Sequence, residues 1–241
     1  TLFKRNIAPT EQVQALTKEI REARVRMDVL IAVDQEGGRV CRFAPPYFDS
    51  YISQYGIGSL PKAERLRLCA LQGILIADEL RSLGVNVNYA PCLDIRYAET
   101  ASVLKSRCFS DDAKIVADCG RILINTYLEN GIIPCMKHLP GHGRATVDPH
   151  LHLPHINQTI EELKADFLPF QVNADTCPMG MTAHIVIPSI DSALPVTQSA
   201  KGIQTLIRGI IGFDGFLLSD AIDMRALQGT LAEKTKSVLR A

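Results

Sequence analysis

The residues best suited to chemistry in this sequence are concentrated in one short segment. Five of the six histidines lie between Lys137 and His155, in the stretch KHLPGHGRATVDPHLHLPH. Histidine changes charge near neutral pH, carries protons in catalysis and is the commonest metal ligand. The segment therefore indicates a functional loop that binds a metal ion, passes protons or caps neighbouring structure.

A second set of polar residues stands at the ends of short apolar runs. These residues are Asp34 after VLIAV, Asp94 just past VNVNYAP, Lys137 and His138 at the end of IIPCMK, His184 late in MGMTAHIVI, and Asp220 at the end of GFLLSD. In a parallel β/α barrel every strand delivers its C-terminal end to one face, where active sites lie. An open sheet would gather only the residues near its switch point. The set therefore favours a barrel.

The apolar runs alternate with amphipathic helical patterns. Because they are apolar at successive positions, six runs are typical of buried parallel strands: 1–3, 29–33, 85–91, 132–137, 179–187 and 215–220. Helices are predicted at 10–24, 61–84, 111–129, 159–167 and 198–210, and the fourth opens with a capping box formed by Thr159 and Glu162. This alternation predicts an α/β fold, either a (β/α)8 TIM barrel or an open doubly wound sheet.

Length and apolar content fit one large domain. The chain has 241 residues, of which 46% are hydrophobic, enough to bury a sizeable core. We take residues 1–241 as a single barrel domain. Six strands are visible where a barrel needs eight, so we expect the natural domain to extend at both ends.

Composition argues against several classes of partner. Lys+Arg and Asp+Glu balance at 26 each, so no net field attracts nucleic acid or an anionic membrane. No apolar run reaches the ~18 residues that span a bilayer.

The seven cysteines are odd in number and scattered, which predicts a reducing, cytoplasmic compartment. Neither GxGxxG nor a phosphate loop occurs, and we expect no cofactor.

Each motif also has a purely structural interpretation. Asp220 could cap the helix that follows it, and the pattern alone supports this capping role as well as a role in the active site. Asp34, Glu36, Arg39 and Arg42 in DQEGGRVCR fit a solvated loop as well as a site, with two glycines supplying the turn. For Glu36 and Arg39 we predict the solvated loop.

A metal site is the main chemical alternative for the histidines. His150-x-His152 is similar to the HxH pair that many metal-dependent barrels use. In those barrels the pair often stands at a strand end near the start of the domain, followed by further ligands on later strands. Here it lies in a long loop and only His184 follows. We therefore predict a site without a metal and keep a metal-dependent amidohydrolase-like barrel as an alternative.

Four motifs carry a resemblance to a known family. IAVDQEGGRVCRF, KHLPGHGRATVDPHLHLP, MTAHIVIP and GFLLSDAIDM, in this order, resemble the family 3 glycoside hydrolases, and within them the bacterial β-N-acetylglucosaminidases of cell-wall recycling. The resemblance covers essentially the whole chain. It implies a TIM barrel and a retaining exo-β-N-acetylglucosaminidase that removes terminal GlcNAc from GlcNAc-1,6-anhydroMurNAc peptides.

The resemblance also implies a role for each site residue. Asp220 corresponds to the nucleophile, and His150 with Asp148 to the general acid/base and its supporting carboxylate. The sugar-binding positions correspond to Asp34, Arg42, Arg107, Lys137 and His138. Histidine suits proton transfer because its reference pKa of ~6.5 lies near cytosolic pH. Residues two apart do not face each other on a helix, so the Asp148–His150 pair requires a non-helical loop.

Two departures from the family pattern concern substrate preference. Arg144 follows GHG where many members have Asp, and Ala221 follows Asp220 where a second Asp is common. A family 3 β-glucosidase is the nearer alternative, but those enzymes typically read SDW at the nucleophile and this chain reads SDA. We expect a small carbohydrate or glycopeptide substrate as a partner, and neither nucleic acid nor a membrane.

Overall fold

Short parallel strands organise the part of the chain that the computed structural model describes, residues 1–23 and 29–241. The strands are β1 Ala32–Val33, β2 Gln35–Gly37, β3 Val40–Cys41, β4 Val87–Asn88, β5 Ile133–Leu139, β6 Met179–Thr182 and β7 Phe216–Ser219. β1, β4, β5, β6 and β7 lie side by side in that order in one sheet, and all their pairings are parallel. β2 and β3 form a separate antiparallel hairpin.

Helices connect the successive strands of the sheet. They are α1 Thr10–Glu22, α2 Gln54–Gly58, α3 Lys62–Ser82, α4 Ser102–Lys105, α5 Ala113–Glu129, α6 Lys164–Asn173, a π-helix Gly202–Ile211, and α7 Leu231–Arg240. Parallel strands that follow chain order and alternate with helices are the arrangement of a β/α barrel. The described residues form a half-barrel of this kind, as the sequence predicts.

Both faces of the sheet are buried. On one face, apolar side chains from four neighbouring strands pack together: Ala32, Val87, Cys135, Met179 and Met181. A larger cluster fills the space between the sheet and its helices. Burial on both faces explains why the strands read as continuous apolar runs rather than as alternating ones.

Five of the six predicted strands form in the sheet. Four of them are shorter than predicted, whereas β5 extends to Leu139, two residues past its predicted end. The sixth run, 1–3, contributes one parallel bridge from Leu2 to Val33. The predicted strand 179–187 ends at Thr182, because the chain then leaves the sheet and carries His184 into the loop above it. Strand existence is thus readable from apolar runs, whereas strand ends are set by hydrogen bonding to neighbours.

The helix predictions hold with shifted bounds. α3 follows Pro61 and stops before Gly84, which adopts a positive φ of 74°. The capping box forms, since Thr159 and Glu162 exchange hydrogen bonds, but the regular helix begins only at Lys164. The predicted end of the first helix at residue 24 lies outside the described residues. Over the described ranges, no helix combines the length and apolarity needed to cross a membrane.

Candidate active site

A pocket of about 300 Å³ opens at the C-terminal ends of the strands. Seven of the eight predicted site residues line it: Asp34, Arg42, Arg107, Lys137, His138, His150 and Asp220. The eighth, Asp148, is hydrogen-bonded to His150. The structure therefore brings together, at one barrel face, residues that are far apart in the sequence.

A buried lysine lies at the centre of the polar wall. Lys137, near the end of β5, places Nζ 2.9 Å from an Asp34 oxygen and 2.6 Å from a Glu36 oxygen. Arg42 completes this side of the pocket with Nη2 2.8 Å from the other Asp34 oxygen. The side chains of Asp34 and Lys137 thus have fixed partners before any substrate binds.

Glu36 corrects the prediction of a solvated loop. Its side chain is 1% exposed and accepts two hydrogen bonds from Arg107, at 2.9 and 2.8 Å. Two parallel N–H···O bonds of this kind are the strong, directional form of an arginine–carboxylate pair. The error arose because the sequence cannot show that the β2–β3 hairpin turns inward. Arg39, in the same motif, is exposed as predicted and donates to the Ser102 carbonyl.

Gly37 allows the hairpin to lie this close to its neighbours. It adopts a φ of 96°, and a Cβ at this position would lie 2.3 Å from the Ile52 carbonyl oxygen. A side chain would therefore be strained and would also push the hairpin outward. The glycine has a structural role that places Glu36 beneath the pocket.

The network holds its members in their charged forms. Burial opposes ionisation of Asp34 and Glu36, but the neighbouring cations outweigh it, so the pKa of each carboxyl lies below its ordinary value. Burial likewise opposes the charge of Lys137, yet Asp34 and Glu36 raise its pKa. The wall therefore presents fixed charges and hydrogen-bonding groups across the neutral pH range.

Asp94 holds the next part of the pocket. Its fully buried carboxylate lies 2.6 Å from His138 Nδ1 and accepts the His142 backbone N–H at 2.7 Å. Burial lowers the pKa of His142 to about 4, so that ring is neutral at pH 7. The backbone contact of His142 with Asp94 fixes this part of the loop.

Asp220 directly follows β7, the last strand of the described sheet, and faces the same pocket. One side-chain oxygen accepts the Ala221 N–H at 2.7 Å, and the other lies 3.9 Å from His138 Nε2. Burial opposes its ionisation, but His138 and His184 favour it, and the pKa lies below the ordinary value. Asp220 is therefore an accessible carboxylate, with 18% of its side chain exposed.

The Asp148–His150 pair lies on the loop above the pocket. His150 Nδ1 is 2.7 Å from Asp148, and the same carboxylate oxygen accepts the His150 backbone N–H at 2.9 Å. Residues 149–151 form a turn, so the pair is non-helical as its spacing requires. The His150 side chain is 56% exposed, and its Nε2 is left free of the carboxylate.

The loop is fastened before this pair and at Pro149, between its two members. Thr100 donates to the Gly143 carbonyl at 2.6 Å, and Ala226 donates to the Pro149 carbonyl at 3.1 Å. Arg144, one of the two family departures, pairs with Asp166 at 2.8 Å and stacks over the Tyr97 ring. These contacts hold the part of the loop that carries the Asp148–His150 dyad.

The remaining histidines do not extend the dyad into a metal site within the described ranges. His152 and His155 are exposed, and His184 is hydrogen-bonded to Thr197 and the Ala221 carbonyl. Among the residues that the structure describes, three potential ligands converge only at Cys92, Asp94 and His138, which already hydrogen-bond to one another.

Sequence reasoning left two buried carboxylates out of the site. Glu36 was interpreted as solvated, and Asp94 was noticed at a strand end without being given a role. The one available signal was position, since Asp94 follows an apolar run as Asp34 does. The apolar wall, which includes Met181 and Met224, had no motif that could reveal it.

A β/α barrel with a polar pocket at its C-terminal face belongs to the enzyme class whose chemistry is carried by strand-end loops. Within that class the chain is a glycoside hydrolase. Residues 1–241 match the model of the glycosyl hydrolase family 3 N terminal domain, and the chain belongs to that family.

Individual relatives agree with this assignment. A beta-hexosaminidase of Chromobacterium violaceum is 37% identical over 248 residues, which cover 100% of this chain and 68% of the relative. NagZ of Neisseria gonorrhoeae, solved in complex with N-trifluoroacetyl-D-glucosamine, superposes with a TM-score of 0.90 at 30% identity, covering 99% of this chain and 70% of NagZ.

A third comparison shows that the same domain occurs in longer proteins. A family 3 beta-N-acetylglucosaminidase from Paenibacillus sp. matches with a TM-score of 0.88 at 29% identity, covering 99% of this chain and 46% of that chain. The chain thus spans about two thirds of some relatives and less than half of this one.

Proposed function

We propose that this protein is a retaining exo-β-N-acetylglucosaminidase that removes terminal, non-reducing GlcNAc. The observation that carries the proposal is the single pocket that Asp220, His150 and the five candidate sugar-binding residues all line. Relatives named beta-hexosaminidase and the NagZ complex with an N-acylated glucosamine support the sugar class.

Asp220 is the nucleophile of the first step. Its lowered pKa keeps it a carboxylate at pH 7. One oxygen attacks the anomeric carbon while the bond from that carbon to the leaving oxygen breaks, and His150 Nε2 gives its proton to the leaving oxygen. The products are a glycosyl ester on Asp220 and the released alcohol.

Water completes the reaction in the second step. His150 takes a proton from the water, whose oxygen attacks the anomeric carbon and displaces the Asp220 carboxylate. Asp148 accepts a hydrogen bond from His150 Nδ1–H throughout, which orients the ring and stabilises its protonated form, as the aspartate does in serine hydrolases. The sugar leaves with the configuration it had.

Other side chains at the pocket are poor proton donors. Glu36 is held ionised by Arg107 and Lys137, and His142 is neutral because burial lowers its pKa to about 4. His138 directs Nε2 to the side of Asp220, not to the leaving group. His150 is the histidine of the pocket that combines solvent access with a supporting carboxylate.

The charged side chains along one side of the pocket bind the sugar hydroxyls. Asp34 accepts hydrogen bonds, whereas Arg42, Arg107 and Lys137 donate them, and each side chain is already fixed by a partner. Such preorganisation reduces the entropy lost on binding.

We assign GlcNAc-1,6-anhydroMurNAc peptides as the substrate and the cytoplasm as the compartment, on the resemblance of the motifs and the similarity to NagZ. The chemistry needs no metal or cofactor.

Hydrolysis of matched aryl glycosides tests the proposal. The full-length protein should cleave a 4-nitrophenyl β-GlcNAc glycoside with a kcat/KM about 100-fold or more above that of the glucose counterpart, because a site built for the amide discriminates strongly against its absence. A strong chelator should leave the rate unchanged. Faster cleavage of the glucoside would favour a β-glucosidase, and loss of activity with the chelator would favour a metal-dependent hydrolase.

A further inference from the structure

Asp94 is a buried carboxylate that the proposed chemistry does not use. It lies just past β4, beneath the pocket, and its side chain is fully buried. Both of its oxygens are occupied. One accepts the backbone N–H groups of His142 at 2.7 Å and His138 at 3.3 Å, and the other faces His138 Nδ1 at 2.6 Å and the Cys92 thiol at 3.3 Å.

This set of partners determines which His138 nitrogen carries a proton. Burial opposes ionisation of Asp94, but His138 and the His142 backbone outweigh it, and its pKa is lowered. An ionised carboxylate can only accept hydrogen bonds, so His138 Nδ1 must donate. The second nitrogen, Nε2, lies 3.3 Å from Arg107 Nη2. Because a guanidinium can only donate, Nε2 must accept.

We propose that Asp94 is a positioning residue that fixes His138 as its Nδ1–H tautomer, so that the one Nε2 lone pair, which accepts from Arg107 in this structure, accepts from a hydroxyl of the bound sugar in its place. Nε2 faces the pocket beside Asp220, at 3.9 Å from that carboxylate. A sugar whose anomeric carbon lies at Asp220 brings a ring hydroxyl to this nitrogen. The inference rests on the proposed function and adds the direction of one hydrogen bond to it.

Replacing the carboxylate by an amide reverses this direction. In Asp94→Asn the amide oxygen must face the two backbone donors that now meet one carboxylate oxygen. The NH2 group then points at His138 Nδ1, which has to accept. The proton moves to Nε2, where it faces the Arg107 guanidinium. Nε2 can then no longer accept a hydrogen bond from the sugar. The same substitution of an aspartate beside a catalytic histidine in serine proteases yields the wrong tautomer.

Nitrogen NMR of the labelled full-length protein reads the tautomer directly. In the wild type, His138 should show a protonated Nδ1 and an unprotonated Nε2, with the signals identified by their loss in His138→Gln. Asp94→Asn should reverse the two, and Asp78→Asn, an exposed carboxylate on α3, should not. A wild-type His138 protonated at Nε2 alone would overturn the proposal without any variant and independently of activity.

Kinetics supply the functional half of the test. Asp94→Asn should lower kcat/KM for the aryl β-GlcNAc glycoside about 10- to 100-fold, the range expected when a buried polar group loses its partner. A series of substrates that each lack one hydroxyl identifies the group that binds His138. Removing that hydroxyl should lower kcat/KM in the wild type and should leave the kcat/KM of Asp94→Asn unchanged. Equal losses in both proteins, or full activity of the variant, would contradict the proposal.

Discussion

At the scale of single residues, the histidines around the pocket differ in how burial affects them. Burial lowers the pKa of His142 to about 4, so that ring is neutral at pH 7, and burial also lowers the pKa of His184. His150 is more than half exposed and keeps a carboxylate on Nδ1. A group that gains and loses a proton in every turnover needs such access together with such support.

Substitution of His150 should affect substrates according to their leaving groups. His150→Ala should slow glycosylation by natural glycosides about 100- to 10,000-fold, because a poor leaving group needs a proton. An activated aryl glycoside should lose far less in this step, since its leaving group departs unaided. Pre-steady-state measurement of both glycosylation rates is the check, with the exposed His152→Ala as the matched control.

Asp148→Asn refines the test of the dyad. The imidazole remains but loses its orienting anion, so the loss should follow the same direction as in His150→Ala and be smaller. Equal slowing of both substrate types by His150→Ala, or a fully active Asp148→Asn, would require a different proton donor.

Arg42 should affect sugar binding and leave proton transfer unchanged. It donates to Asp34 at 2.8 Å and lines the pocket, whereas the dyad lies on another loop. Arg42→Ala should weaken GlcNAc inhibition about tenfold, as expected for a lost charged hydrogen bond, without moving the pH profile. The comparison uses inhibition constants across the pH range, with Arg81→Ala on the surface of α3 as control. Unchanged affinity would remove Arg42 from the sugar site.

At the scale of elements, the β2–β3 hairpin matters because it inserts Glu36 beneath the pocket. The pKa of Glu36 is lowered in the folded protein by Arg107 and Lys137, despite burial. A carboxyl with a lowered folded-state pKa stabilises the protein above its unfolded value of ~4.3 and loses this contribution as pH falls through the folded-state value. The hairpin therefore contributes to acid sensitivity.

Glu36→Gln should destabilise the protein at neutral pH and reduce that acid sensitivity. Lys137 keeps Asp34 as a partner, but Arg107 loses its carboxylate. Removing one partner of a buried ion pair costs about 3–5 kcal/mol. Denaturant unfolding between pH 3 and 7 should show the difference from wild type shrinking as pH falls below about 4. The exposed Glu19→Gln on α1 is the control, and a difference that is constant with pH would contradict the assignment of Glu36.

The anchor of the histidine loop is a second property at this scale. Arg144 holds the loop to α6 through Asp166 and to Tyr97 by stacking. Arg144→Ala should increase hydrogen exchange in the loop segment 142–150 and lower kcat more than it raises KM, because the dyad loses its fixed position. Arg144→Lys keeps a charge but not the stacking plane, so it should be intermediate. Unchanged exchange in Arg144→Ala would show that the anchor is dispensable.

At the scale of the whole molecule, the sequence predicts the barrel because apolar runs alternate with helical patterns and polar residues stand at the ends of several of the runs. Asp34, Lys137 and Asp220 could be placed at one face for this reason. Buried partners such as Glu36 and Asp94 could not be assigned, because a carboxylate has the same sequence signature in water and in an ion-pair network. Their roles depend on how loops fold back over the strand ends.

The central claim is that this assembly of strands forms a covalent intermediate on Asp220. A 5-fluoro GlcNAc donor keeps the 2-acetamido group, and its fluorine slows both steps. A good leaving group restores the rate of the first step only, so the ester on Asp220 accumulates. Mass spectrometry of the digested protein should find one added sugar on the peptide that contains Asp220, and none in Asp220→Asn, which should also lose turnover by about three orders of magnitude or more while remaining folded. A label on another residue, or labelling that persists in Asp220→Asn, would contradict the account.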